Sequence, residues 1–297
     1  MVLSCLERPI DVFNITEWGV DLDRFLNNLT LHYDIYEWDH YLLRQNQIVF
    51  FQKYLPEEKR HSFDNVLWSD YYGGKIGDVT VKEMLNFIPE DKIPKFHEIK
   101  ATRKRLIAEF NLTSLGYDQW RTKRIPARAF GQSYALTSNS AVLDYRQTTE
   151  RRFKEMPELL NCVDLQYILS GIANELKEKN PEISFLNIIV HHTLVYCYSN
   201  QLGTNSPEGI HQDGMDYIVS ALVLERNNIS GGKSIVYGSD MKTKIMETVL
   251  QSGQGILQPD KNTELWHEVT PIKCKEGVSK GYRSTIGFDI TIERPDL

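Results

Sequence analysis

After Pro181 the chain reads as one strand after another almost to its end, and this succession constrains the fold more than any other feature. Residues 185–198 are long, apolar and rich in β-branched side chains. Residues 217–224, 233–237, 256–258, 266–269 and 282–292 repeat that texture, with Ser230-Gly231-Gly232 as a turn between two of them. A parallel sheet needs a crossover of helix length between successive strands, and none is present here. Consecutive strands without long intervening helices imply an antiparallel sandwich or barrel.

The chain before Pro181 has a different character. Residues 1 to 115 read as mainly helical: Leu22, Phe25, Leu26 and Leu29 recur at helical spacing, and aromatic residues crowd 32–54. Thr80-Val81-Lys82-Glu83 has the form of a capping box opening a helix through Met84 and Phe87. The pattern also predicts a helix over 99–110 with its basic residues on one side. Residues 124–146 turn to β texture, with Gly131 and Ser138-Asn139-Ser140 as turn candidates. Residues 164–179 return to helix, where Leu165, Ile168, Leu169, Ile172 and Leu176 form one apolar stripe that ends at Asn180-Pro181. No Pro/Gly/Ser-rich linker separates these parts. The expected class is α+β: a helical region, 1–115, packed on a β core, 116–297, as one cooperative unit.

Composition narrows the function classes. With 297 residues, 41% hydrophobic and 25% charged, the chain resembles ordinary soluble globular proteins. A net charge of −6 argues against nucleic acid as the main partner, because phosphate binding needs a concentrated basic surface. No apolar run reaches the length of a membrane span. The N-terminus lacks a basic start and a long apolar stretch, so no secretory signal is expected. Cys5, Cys162, Cys197 and Cys274 are scattered, which fits reduced thiols in a cytoplasmic protein. The partner expected is a small molecule, with at most a second copy of the chain; no nucleic acid or membrane is expected.

One short motif carries the chemistry. In His211-Gln212-Asp213 an imidazole and a carboxylate stand two residues apart, and on a strand such residues share a face. His267 lies far downstream in a second strand-like stretch, where an antiparallel core can return it beside the pair. Two His and one carboxylate on one face of ferrous iron leave three positions open. Arg283, on the next strand-like stretch, offers a guanidinium for a carboxylate through two parallel hydrogen bonds. Thr285 shares its face. His191-His192 and Tyr196 with Tyr198 lie on the strand before the motif, as packed core groups or as pocket lining.

The wording around these residues resembles a known family. PEGIHQDG at 207–214, SGGKSIVY at 230–237, HEVTPI at 267–272 and AFGQS at 129–133 with Arg146 resemble the iron/2-oxoglutarate-dependent dioxygenases that hydroxylate free L-amino acids, the family of the bacterial L-isoleucine dioxygenase. The resemblance runs over residues 115–292. It implies a double-stranded β-helix (jelly-roll, cupin-like) core, Fe(II) at His211, Asp213 and His267, and 2-oxoglutarate held by Arg283 with Thr285. It also implies consumption of O2, release of succinate and CO2, and oxidation of an unactivated C–H bond of an amino-acid substrate. Gln132 and Arg146 are the candidates for holding the polar ends of that substrate, and Asp216 for meeting its α-ammonium. Two departures bear on substrate identity: residues 273–280 are longer and more polar than the family pattern, and Gln212 stands where a basic residue often appears. The alternatives are the same chemistry on a carrier-tethered amino acid, peptide or natural-product intermediate, or a non-catalytic jelly-roll binding protein.

Overall fold

The structure is a computed structural model, and it describes residues 10–293 apart from 61, 117, 130, 132–135, 138–144 and 146–148. The chain opens with β1 (Asp11–Asn14), α1 (Leu22–Thr30), β2 (Glu37–Trp38) and α2 (His40–Tyr54). α3 (Glu57–Arg60), α4 (Asn65–Gly73), α5 (Asp78–Leu85) and α6 (Ile93–His97) follow. Next come β3 (Arg103–Gly116), β4 (Gln119–Ile125), β5 (Leu136–Thr137) and α7 (Val163–Lys179). The remainder is β6 (Phe185–Tyr198), β7 (His211–Gln212), β8 (Tyr217–Asn227), β9 (Ile229–Gly231), β10 (Ser234–Tyr237), β11 (Lys244–Thr248), β12 (Gln254–Pro259), β13 (Trp266–Val269), β14 (Ile272–Cys274) and β15 (Lys280–Ile292).

These strands form two main antiparallel sheets. The larger has eight strands in the order β1-β12-β8-β15-β6-β3-β2, with β4 hydrogen-bonded to β3. The smaller has five, in the order β11-β10-β13-β7-β5, and β14 pairs with β9 alone. The mixture of helices with large antiparallel sheets agrees with the α+β expectation.

Alternation along the central strands gives the larger sheet two unlike faces. On β15, Ile286, Phe288 and Ile290 are fully buried against one side, together with Leu186, Ile188, Val190 and Leu194 of β6. The apolar stripe of α7 covers this outer face through Leu165, Ile168, Leu169, Ile172 and Leu176. Gly171 lets Trp18 lie flush on the helix, because a Cβ there would stand 2.2 Å from the indole. Tyr196 and Tyr198 belong to this outer core, beside Trp38 and Tyr282. Asn187, His191, Thr193, Arg283, Thr285 and Asp289 take the opposite parity and face inward.

The helical layer has a core of its own, built from Ile48, Phe51, Leu55, Trp68, Met84, Phe96 and their neighbours. Asp21, Asp39 and Asp64 cap α1, α2 and α4 by accepting from the backbone N–H three residues on. The expected helix over 99–110 is overturned. That stretch enters β3, which pairs antiparallel with β6 from Arg103↔Val195 to Thr113↔Phe185. Leu106, Ala108, Phe110 and Leu112 alternate with Arg103, Arg105, Glu109 and Asn111, so the period is two, and ladders on both sides outweigh local helix propensity. A division at 115/116 therefore falls inside β3, and β1 also joins the large sheet from the N-terminal side. The helix expected at Thr80 begins two residues earlier, at Asp78, after Gly77 in an extended conformation. Among the described residues, no helix is long and apolar enough to cross a membrane.

Candidate metal centre

His211 and His267 face each other across a single antiparallel pair between β7 and β13. Their ring centroids stand 4.3 Å apart and tilted by 51°. Asp213 lies just past the end of β7, with one carboxylate oxygen 3.3 Å from His267 Nε2 and the other 3.6 Å from His211 Nε2. One ligand atom from each of the three falls within 4.8 Å of the others, and both histidines are buried. The structure thus brings together the three residues singled out as metal ligands.

Local chemistry holds this geometry. The carbonyl of Gly209 can only accept, so the 2.9 Å contact from His211 Nδ1 is an N–H donation that leaves the Nε2 lone pair directed at Asp213. Gly214, at φ +85°, turns the chain immediately after Asp213 in a conformation that favours glycine. The fully buried Asp260 fastens that turn: its Oδ2 accepts from Gly214 N–H at 2.6 Å and Met215 N–H at 3.0 Å. Its other oxygen stands 3.9 Å from His267 Nδ1, beyond hydrogen-bond range, and neither atom has a hydrogen-bond partner. Burial and the neighbouring Asp213 push the Asp260 carboxyl up to about 7, against the opposing pull of His267 and the two amides. On the other side of β7, Gln212 donates to the carbonyls of Thr263 and Leu265 and so pins the strand to the turn before β13.

One further carboxylate approaches the cluster, and another lies on the inner face of β15. Glu208 Oε1 lies 3.5 Å from His211 Nε2. Asp289 on β15 pairs with His191 Nε2 at 3.1 Å. Sequence reasoning assigned no role to Glu208 or Asp260. The proximity of Glu208 within PEGIHQDG was the available signal, whereas nothing in the local wording marks Asp260. His192, one residue from the inward-facing His191, turns outward to Tyr36 and is driven down to about 3 by burial and by His191.

Arg283 occupies the inner face of β15 and is 1% exposed. Its Nε and Nη2 are buried with no hydrogen-bond partner. Arg226 lies directly opposite on β8, so two like charges share a cross-strand position. Burial together with Arg226 lowers the Arg283 guanidinium to about 9. Arg226 donates to the carbonyls of Gly231 and Gly232. Among the described residues no carboxylate lies within ion-pair range of either arginine, which fits a site for an anion brought by a ligand. Gly232 clears the stem of Arg283: a Cβ there would approach Ile272 to 2.9 Å and Arg283 Cδ to 3.4 Å. Thr285, buried, follows on the same face.

The remaining candidates fare differently. Asp216 is engaged by Lys261 Nζ at 2.8 Å and accepts from Ile292 N–H at 2.9 Å, which ties it to the end of β15. Gln132 and Arg146 lie outside the described residues.

Comparison with known proteins adds a family. A family model described as 2OG-Fe dioxygenase matches residues 82–289. No curated protein matches the chain in sequence. Among solved structures, a bsmA homolog from Methylobium petroleophilum PM1 superposes with a TM-score of 0.56 at 14% identity, over 98% of this chain and 92% of its own. IDO from Bacillus thuringiensis superposes with a TM-score of 0.49 at 15% identity, over 65% of this chain and 76% of its own. At such identities a structural likeness speaks to the fold alone, and the bsmA homolog carries it.

Proposed function

The chain belongs to the 2OG-Fe dioxygenase family, and from that premise we propose that it hydroxylates an unactivated C–H bond of a free L-amino acid or close derivative in the cytoplasm. The family uses Fe(II), 2-oxoglutarate and O2, and the His-Asp-His cluster fits a divalent iron. In this reading the two sheets are the walls of a double-stranded β-helix. His211, Asp213 and His267 hold Fe(II), and Arg283 pairs with the distal carboxylate of 2-oxoglutarate while Thr285 donates beside it. The overall conversion is R–H + 2-oxoglutarate + O2 to R–OH + succinate + CO2.

The observation that carries the reading is a converging His-Asp-His cluster in a chain that also buries Arg283 with no carboxylate partner among the described residues. The bound iron supplies activation of O2 coupled to oxidative decarboxylation of 2-oxoglutarate. The protein supplies placement. Gly209 sets the tautomer of His211, Asp260 fixes the turn that presents Asp213, and Gln212 holds β7 against the 263–265 turn. The buried guanidinium orients 2-oxoglutarate and costs little to reorganise, because the β15–β8 ladder already fixes its stem.

The test is a uniform panel of free L-amino acids, supplied with Fe(II), 2-oxoglutarate and O2. Succinate formed together with a product heavier by one oxygen atom is the expected result. Absence of succinate with every member of the panel sinks the amino-acid reading.

A further inference from the structure

The inner face of the large sheet is mostly buried but keeps a solvent opening near its centre. Ile189 and Thr193 of β6 and Gly287 of β15 keep solvent access although each lies on a strand with neighbours on both sides, while the outward residues between them are fully buried. Register places Arg105 of β3 beside Thr193, and Thr193 beside Thr285. Arg105 and Thr285 thus flank the opening in one row, two strands apart, or about 10 Å at the usual strand spacing.

Arg105 lacks a full counter-ion. Two carboxylates attract it, Asp39 and, more weakly, Asp289, and both are already used: Arg103 holds Asp39 at 2.8 and 2.9 Å, Leu42 N–H donates to it at 3.1 Å, and Asp289 pairs with His191 Nε2 at 3.1 Å. Arg105 reaches Asp39 only through Nε at 4.0 Å, too far for a hydrogen bond, and that Nε is otherwise unpartnered. Arg151 adds a third positive charge to the same carboxylate. The Arg105 guanidinium lies over the Phe153 ring, 4.7 Å from its centroid, and its side chain is 13% exposed. Burial and Arg103 bring it down to about 9. A positive charge stacked over an aromatic ring, short of a partner and bordering a solvent opening of the inner face has the chemistry of a carboxylate receptor.

We propose that Arg105 anchors a carboxylate of the oxidised substrate, on the opposite flank of the inner face from the 2-oxoglutarate arginine Arg283. The assignment rests on the dioxygenase reading above. It gives the substrate an anionic end pointing towards β3.

The experiment is calorimetric titration of the protein loaded anaerobically with Fe(II) and 2-oxoglutarate. The titrants are free L-amino acids and their matched primary amides. At least one acid is expected to bind more tightly than its amide. Arg105→Gln is expected to weaken that acid by about 30-fold or more, the scale for removing one partner of a buried charge pair, while the amide and 2-oxoglutarate bind as before. Arg105→Lys, which keeps the charge without the fork, should recover part of the loss, and it carries the test if the glutamine variant does not fold. Equal binding of acid and amide, an acid preference that survives in Arg105→Gln, or binding of 2-oxoglutarate with no amino acid at all overturns the proposal. Failure of the wild type to bind 2-oxoglutarate in the presence of Fe(II) overturns the dioxygenase reading instead, so the two failures are distinct.

Discussion

The two faces of the eight-stranded sheet share every strand yet obey opposite rules. On β15 the outward residues Ile286, Phe288 and Ile290 are fully buried hydrocarbon against α7 and its neighbours. The inward residues Arg283, Thr285 and Asp289 are equally short of solvent but polar. The same alternation runs along β3, where Leu106, Ala108 and Phe110 face out while Arg103, Arg105 and Glu109 face in. Outward positions gain from transfer out of water, at about 25 cal/mol per Å². Inward positions cost desolvation that is repaid only where a partner exists, and at Arg283 and Arg105 that partner is incomplete. One face stabilises the fold, and the other stores the capacity to bind. Substitutions on the two faces should therefore separate stability from function.

The largest effect is expected at the His211-Asp213-His267 cluster. Asp213→Ala removes one of the three proposed ligands, and iron-dependent succinate formation should fall to background with little change in melting temperature. Retention of measurable turnover would show that another carboxylate, Glu208 being nearest at 3.5 Å from His211, serves as ligand. On the outer face, Phe288→Ala should cost about 3–5 kcal/mol by deleting a fully buried ring. It should leave the affinity of the folded protein for 2-oxoglutarate unchanged. Urea unfolding in parallel with 2-oxoglutarate titration checks both halves.

Arg283→Met should invert that result. Replacing a buried, unpaired charge by a side chain of similar volume is neutral or stabilising for the apo fold. Binding of 2-oxoglutarate should weaken by about 2–5 kcal/mol, the usual scale for removing one member of a buried charge pair. If apo Arg283→Met melts well below the wild type, the guanidinium contributes to the fold and the contrast between the faces is wrong at this position.

The legible part of this molecule was the part written in alternation or in motif. The α7 stripe, the long β6 and β15, and the positions of His211, Asp213, His267 and Arg283 follow from local pattern and chemistry. The parity of β3 did not, because Arg103-Lys104-Arg105 mimics a solvated helix face and its inward orientation depends on ladders with β6 and β4. Short strands such as β9, β11 and β14 lack enough residues to show a period, and β11 is an edge strand with mostly exposed side chains. Asp260 escaped notice because its role arises from two backbone amides and a histidine brought to it by the fold. Asp39 was not singled out either: it caps α2, and its second task against Arg103 is set by the pairing of β2 with β3.

A smaller effect is expected at Asp260, which touches the site without facing the substrate. Asp260→Asn keeps the volume but removes the ionisable group beside His267 Nδ1, and it weakens the acceptor for Gly214 and Met215. Outer partners of metal ligands are worth about 10–100-fold in metal affinity, and competition titration of Fe(II) against a chelator should read a loss in that range. Unchanged affinity would confine Asp260 to a structural turn.

The smallest effect tests whether the polar inner region stabilises anything at all. Burial alone would raise the Asp39 carboxyl, but Arg103, Arg105, Arg151 and the Leu42 N–H outweigh it and hold the group at about 2. Because the folded value lies below the unfolded one, the resulting stability is fully present above about pH 4 and is lost as pH falls towards 2. Its size is about 2 kcal/mol, from roughly 1.4 kcal/mol per unit of displacement. Asp39→Asn keeps a side chain able to cap α2 and removes this acid-labile part. Its stability between pH 5 and pH 2.5 should fall less steeply than that of the wild type. Identical slopes would mean that the three arginines and one carboxylate contribute no net stability. In that case the inner face of β3, like that of β15, would be organised for a ligand alone.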